Sequence, residues 1–127
     1  MRFPEELRYT KDHEWLRVED GTATIGITDH AQHELGDIVY VDVTISPGQL
    51  VQAGQVVATI EAVKTVADVY APVSGRVVEI NSVLSEKPEL LNQDPYNHGW
   101  ILRLELTQPD EVELLLDASA YKALIGA

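Results

Sequence analysis

The 127-residue chain reads as a mainly β protein, two small antiparallel sheets with short helices at the periphery. Three features carry that reading. Runs of Val, Ile and Thr with period-two alternation fill much of residues 14–80, as half-buried strands require. Turn-forming residues punctuate those runs at Asp20-Gly21, Ser46-Pro47-Gly48, Gly54, Pro72 and Gly75. Finally, "GQVVATI" from Gly54 and "GRVVEIN" from Gly75 share a Gly-x-Val-Val start, 21 residues apart. A solenoid needs three or more such copies to bury a continuous core, so two copies indicate a pseudo-symmetric pair of sheets, one half contributing a hairpin.

"YTKDHEWLRVEDGTATIGIT" gives two short strands that meet at Asp20-Gly21, a pair that tolerates the positive φ of a tight hairpin. "TDHAQHELG" gives a short helix: Thr28 or Asp29 serves as N-cap, Gly36 as the stop, and Ala31 and Leu35 lie on one face. Ile38, Tyr40 and the β-branched Val39, Val41 and Val43 form the next strand, which ends at Ser46-Pro47-Gly48. "QLVQAGQVVATIEAV" and "TVADVYAPVSGRVVEINSVL" continue as strands. "LSEKPELLNQDPYNHGW" is rich in Pro, Asn and Asp and reads as a long ordered loop, tied to the core by Leu84, Leu90, Leu91, Tyr96 and Trp100. "ILRLEL" is a further strand. In "TQPDEVELLLDASAYKALIGA", Pro109 suits a first helical turn, and Asp110, Glu111 and Glu113 suit the positive end of a helix dipole. Val112, Leu115 and Leu116 make the apolar face of that helix, and a second helical segment holds Tyr121, Leu124 and Ile125.

The length fits one domain over residues 1–127, with a core that needs neither disulfide nor metal staples. Nine Lys plus Arg against 21 Asp plus Glu leave a net charge of −12, which repels phosphate backbones and anionic membrane surfaces. Neither nucleic acid nor a membrane is expected as a partner. No stretch approaches the roughly 20 apolar residues of a membrane span, and "MRFPEELRYTKDHEW" lacks the apolar core of a signal peptide, so the expected compartment is the cytoplasm. There is no cysteine, hence no thiol nucleophile, structural disulfide or thiolate ligand. Any sulfur chemistry has to come from an attached group.

His30 and His33, with Glu34 beside them and His13 as a third ligand, resemble a metal grouping. Their HxxH pattern lacks the i, i+4 spacing and internal glutamate of the zinc-hydrolase helix, so no metal site is assigned. The serines have no nucleophile-elbow context and the glycines form no phosphate loop, so no catalytic residue is assigned either. Lys64 stands apart. It is the one lysine in the apolar stretch 54–75, and its ammonium must reach water, most simply at a hairpin tip. Ala62, Val63, Thr65 and Val66 leave such a projection uncluttered, as attachment of a prosthetic acid by an amide requires. A solubilising turn lysine is the plain alternative.

"IGITDHAQHELGDIVYV", "GQVVATIEAVKTVADVYAPVSGRVVEIN" and "LLNQDPYNHGWILRL", in that order, resemble the H proteins of the glycine cleavage system. So do "YTKDHEWL" before them and the acidic tail after, and the likeness covers nearly the full chain. It implies a lipoyl-domain-like fold, a flattened β-barrel or sandwich hybrid, with the lysine-bearing hairpin near residues 54–75. In that family the lysine following Glu-Ser-Val carries lipoic acid. The matching text here is Glu61-Ala62-Val63-Lys64-Thr65, with Ala62 in place of the serine and Thr65 in place of the usual alanine. Glu61 at −3 and Gly75 at +11 belong to the same attachment signature. "NHGW" stands where "GEGW" is more familiar, and the resemblance assigns no role to Asn97 or His98.

The resemblance further implies a carrier and not an enzyme. Lipoate-attaching enzymes would modify Lys64. The arm would then take the aminomethyl group of glycine from a pyridoxal-phosphate glycine decarboxylase (P protein) to a folate-dependent aminomethyltransferase (T protein). A flavin dihydrolipoyl dehydrogenase (L protein) would reoxidise the dithiol. In the family the loaded arm folds back into a cleft of its own protein, and Glu14 and Asp68 match acidic positions near that cleft. The plain reading of Glu14 is a surface strand carboxylate. Other readings share the hairpin. A lipoyl domain of a 2-oxoacid dehydrogenase usually shows Asp-Lys-Ala, against Val63-Lys64-Thr65 here, and a biotin carrier shows Met on both sides of the lysine, whereas Met1 is the only Met. An unmodified interaction module is the third alternative.

Overall fold

A computed structural model of residues 1–127 places nine strands in two antiparallel sheets. In chain order they are β1 (Arg8–Tyr9), β2 (Glu14–Glu19), β3 (Thr22–Ile27), β4 (Ile38–Val43), β5 (Leu50–Val51), β6 (Val56–Ala62), β7 (Val66–Tyr70), β8 (Gly75–Ile80) and β9 (Leu102–Leu106). One sheet runs β1-β2-β3-β9-β8-β5 and the other β4-β6-β7. The helices are α1 (Asp29–Leu35), the single turn α2 (Leu90–Gln93) and α3 (Ala118–Ile125), and none is long and apolar enough to cross a membrane.

Local chemistry explains the boundaries. Glu19 pairs with Thr22, leaving Asp20 and Gly21 as a two-residue loop with φ of 51° and 78°, the doubly positive pattern whose twist suits a tight hairpin. Thr28, not Asp29, caps α1: its hydroxyl accepts the Ala31 N–H at 3.1 Å. The Gly-x-Val-Val echo has a structural counterpart. The register slips between Val56 and Ala58 in β6 and between Val77 and Glu79 in β8, so each copy bulges at its second valine. The copies lie in different sheets, but the sheets are unequal, six strands against three, because the N-terminal hairpin joins β8 through β9.

The inner faces of the two sheets close on one cluster that includes Leu16, Ile25, Val41, Ile60, Val69 and Leu104, all buried. Leu84 and Leu91 join it from the long connection, which is ordered by a 3₁₀ turn at Ser82–Ser85 and by α2. A second cluster forms around Trp15, Tyr9, Tyr96 and Tyr121. Trp15 is fully buried and donates its indole N–H to Pro95 C=O at 2.9 Å, which fastens the connection to β2.

The C-terminal segment departs from expectation. Residues Pro109–Leu114 form a 3₁₀ helix and Leu115 is already extended. Two strong contacts compete with α-helical geometry there: Leu116 exchanges backbone hydrogen bonds with Tyr9 at 2.8 and 2.9 Å, and Glu111 receives the Ser74 N–H at 2.7 Å. Regular helix resumes at α3, capped by Asp117 and closed by Gly126 at φ 76°.

Candidate functional site

β6 and β7 pair up to Glu61 and Val66, and the Ala62 N–H donates to Thr65 C=O at 2.8 Å. Val63 and Lys64 are therefore the two-residue loop at the hairpin tip, and both are exposed. The tip is tethered, since the Val63 N–H donates to Asp37 C=O at 3.0 Å in the α1–β4 connection. Lys64 thus stands on a tethered projection, with exposed Val63 and Val66 also at the tip. Glu61 is exposed on the outer face of the smaller sheet, between Tyr40 and Val66. Gly75 belongs to the other sheet: a Cβ there would meet the Glu105 carbonyl oxygen at 2.6 Å, so its place follows from the close approach of β8 and β9.

Glu14 is not a surface carboxylate. It opens β2 only 2% exposed, with its carboxylate turned toward β7. The Thr10 hydroxyl donates to Oε1 at 2.6 Å, and the Tyr70 N–H donates to Oε2 at 3.2 Å. Tyr70 lies on an edge strand, so Glu14 satisfies a backbone group that the smaller sheet leaves unpaired and links the two sheets. No ion pair involves Glu14. Burial pushes its carboxyl from the ordinary 4.5 up to about 7, against the pull of the Thr10 and Tyr70 hydrogen bonds and with a further push from Asp12.

This carboxylate lines a cleft of about 310 Å³ whose walls include Tyr9, Tyr70, Pro72, Leu115 and Leu116, with Lys11 and Asp12 also on the lining. A cleft with apolar walls, holding one buried acid that makes no ion pair, can take an apolar chain ending in a positive charge. Asp68 lies outside the lining; it is exposed on β7 and accepts the Thr59 hydroxyl at 3.3 Å. Val66, Asp68 and Tyr70 alternate along one face of β7 and lead from the tip to the cleft. Nothing local in the sequence marks Thr10 or Leu115 and Leu116 as site residues. Only the long-range pairing of Tyr9 with Leu116 brings them beside Glu14.

Several other polar side chains are engaged with one another. The His13 and His30 rings lie 4.8 Å apart at a tilt of 51°, His13 Nδ1 meets the Tyr121 hydroxyl at 2.8 Å, and His30 approaches Glu34 at 4.0 Å. No group of three or more His, Cys, Asp or Glu side chains is arranged to hold a metal. His98 pairs with Asp94 at 2.6 Å, and its carbonyl accepts from Asn81. Gly99 is required beside it because a Cβ would meet the Asp94 and Leu90 carbonyl oxygens at 2.8 Å. A wider groove of about 480 Å³ beside Trp100 mixes the cations Arg17 and Arg103 with Glu19 and Asp20. It offers no buried group of one sign.

The buried acid carries a stability signature. Below about pH 4.5 Glu14 is protonated in the folded and unfolded chains alike. Between 4.5 and about 7 the unfolded chain ionises while the folded one keeps its proton, so stability falls as pH rises through that window. The full loss is about 3 kcal/mol. His13 acts oppositely: burial, then His30, lower its value below 6.5, so its share is lost as pH falls. Urea denaturation of wild type and Glu14→Gln at pH 4.5 and 8 isolates the acid. The variant should gain on wild type between the two pH values, and parallel profiles would count against an unpaired buried Glu14.

Comparison with known proteins converges on one family. The family model described as glycine cleavage H-protein matches residues 7–127. A glycine cleavage system H protein of Pelodictyon phaeoclathratiforme is 54% identical over 128 residues, with 99% of each chain covered. One of Bacteroides fragilis is 48% identical over 127 residues, with 100% of each covered. Among solved structures, the crystal structure of a glycine cleavage system H protein from Mycobacterium marinum superposes with a TM-score of 0.90 at 37% identity, covering 98% of this chain and 100% of that one.

Proposed function

The chain belongs to the glycine cleavage H-protein family, and from that premise we propose that it is the lipoyl-bearing carrier of the glycine cleavage system, working as one domain over residues 1–127. It is a carrier component and not an enzyme. The observation that supports the reading most directly is Lys64, exposed at a tethered two-residue tip, on the sheet whose edge strand runs to the Glu14 cleft. An amine placed in this way is open to lipoate-attaching enzymes, and Glu61 at −3 remains exposed beside it for recognition.

The residues fit a lipoyl group. Attached to Lys64, it would supply the disulfide and dithiol chemistry that the cysteine-free chain lacks. The protein's part is to present and to protect. The tethered tip holds the attachment point clear of the body so that P, T and L proteins each have access. The apolar cleft walls would exclude water from the arm, and Glu14 would hold a cation at its end through a charge-assisted contact. Asp68, exposed midway along β7, is proposed to guide that cation toward the cleft. We propose the cytoplasm as the compartment of this exchange.

The test is the intact mass of full-length protein purified from its native source, with peptide mapping. A lipoyl increment on the peptide containing Lys64 is expected. A biotinyl increment, or none in cells that are cleaving glycine, would overturn the assignment.

A further inference from the structure

The hydroxyl of Thr10 makes three hydrogen bonds, and their directions are fixed by the partners. Oγ1 accepts the N–H of Asp12 and the N–H of Glu14, each at 3.2 Å. A threonine hydroxyl has two acceptor lone pairs and one proton, so both lone pairs are taken and the proton is left for Glu14 Oε1 at 2.6 Å. The other oxygen receives the Tyr70 N–H, which can only donate. Both protein partners of Glu14 are therefore donors. A protonated Glu14 finds no acceptor among them, whereas an ionised one has both oxygens held.

We propose that Thr10 is the positioning residue of the cleft, fixing Glu14 by one oxygen in the orientation and ionised form that an ammonium on the Lys64-borne arm meets. This rests on the arm-cleft reading above. Burial works against the ionised form, and Thr10 opposes burial; without its proton, Glu14 would keep hydrogen to a higher pH. Titratable and charged neighbours set the background: Lys11 and Asp12 on the lining, His13 next in the chain, Tyr70 on β7, and Tyr121 on α3, whose own value is raised in part by Glu14.

Full-length unlipoylated protein with ¹³C-labelled glutamate carboxyls gives a readout independent of carrier activity. The Glu14 titration midpoint should rise by about one pH unit in Thr10→Val, which keeps the shape and removes the hydroxyl, and return to the wild-type value in Thr10→Ser. Thermal melts establish that each variant is folded at the temperature used. In lipoylated, aminomethyl-loaded protein at neutral pH, Thr10→Val should release ammonia about tenfold faster than wild type, and Thr10→Ser at the wild-type rate. An unchanged Glu14 midpoint in Thr10→Val, or a serine variant that behaves like the valine one, would overturn the positioning role. If Glu14→Gln itself releases at the wild-type rate, the arm-cleft reading fails instead, and the Glu14 titration still reads the Thr10–Glu14 contact alone.

Discussion

Lys64→Arg is expected to abolish lipoylation and support of glycine cleavage while leaving the fold intact. Arginine retains the charge and much of the length, but its guanidinium stays protonated and does not form the amide. Substitution at an exposed turn position, with no tertiary hydrogen bond from the side chain, should shift stability by no more than about 0.5 kcal/mol. The backbone contacts that shape the tip, Ala62 to Thr65 and Val63 to Asp37, do not depend on the residue at 64. Intact mass after co-expression with a lipoate ligase reads the first effect and a urea melt the second. A lipoyl increment on the arginine variant, or an unfolded variant, would show that Lys64 is not a dedicated attachment site.

The hairpin was legible in the sequence because every local signal agreed there. Val and Thr set the strand period, Gly54 and Pro72 bounded it, and a lone lysine in an apolar run was placed most simply at the tip. The Asp20-Gly21 turn was legible for the same reason, and the start of α1 was legible to within one residue, the choice of Thr28 over Asp29 as cap being made only by the hydroxyl that accepts the Ala31 N–H. The C-terminal 3₁₀ segment was not. Its helical periodicity is overridden by Tyr9, more than a hundred residues away in sequence, and by Ser74 across the fold. The character of Glu14 was hidden in the same way. A Glu opening a strand beside Trp15 reads as solvated, and what buries it is the edge of β7 and the Leu115-Leu116 wall, contacts that no local window contains. The site is thus divided: the attachment point is local chemistry, and the cleft is tertiary chemistry.

That division makes Glu14 the more demanding test. Lipoylated protein loaded with the aminomethyl group should lose ammonia faster when Glu14 no longer carries a charge. Glu14→Gln is the informative variant, because its amide oxygen still accepts the Tyr70 N–H, whereas Glu14→Ala would also orphan that buried group. A hydrogen bond to a charged group contributes about 1.5–3 kcal/mol, which corresponds to a roughly 10- to 150-fold larger exposed fraction of the arm. Ammonia release measured without the transferase should accelerate by a factor in that range. The unloaded protein, whose arm carries no cation, should differ far less between variant and wild type in any measure of arm mobility. The effect also has a pH signature. Glu14 takes up a proton as the pH falls below about 7, so the advantage of wild type over Glu14→Gln should narrow there and be fullest above it. Equal release rates at pH 8 would leave Glu14 as a link between the two sheets with no part in holding the arm.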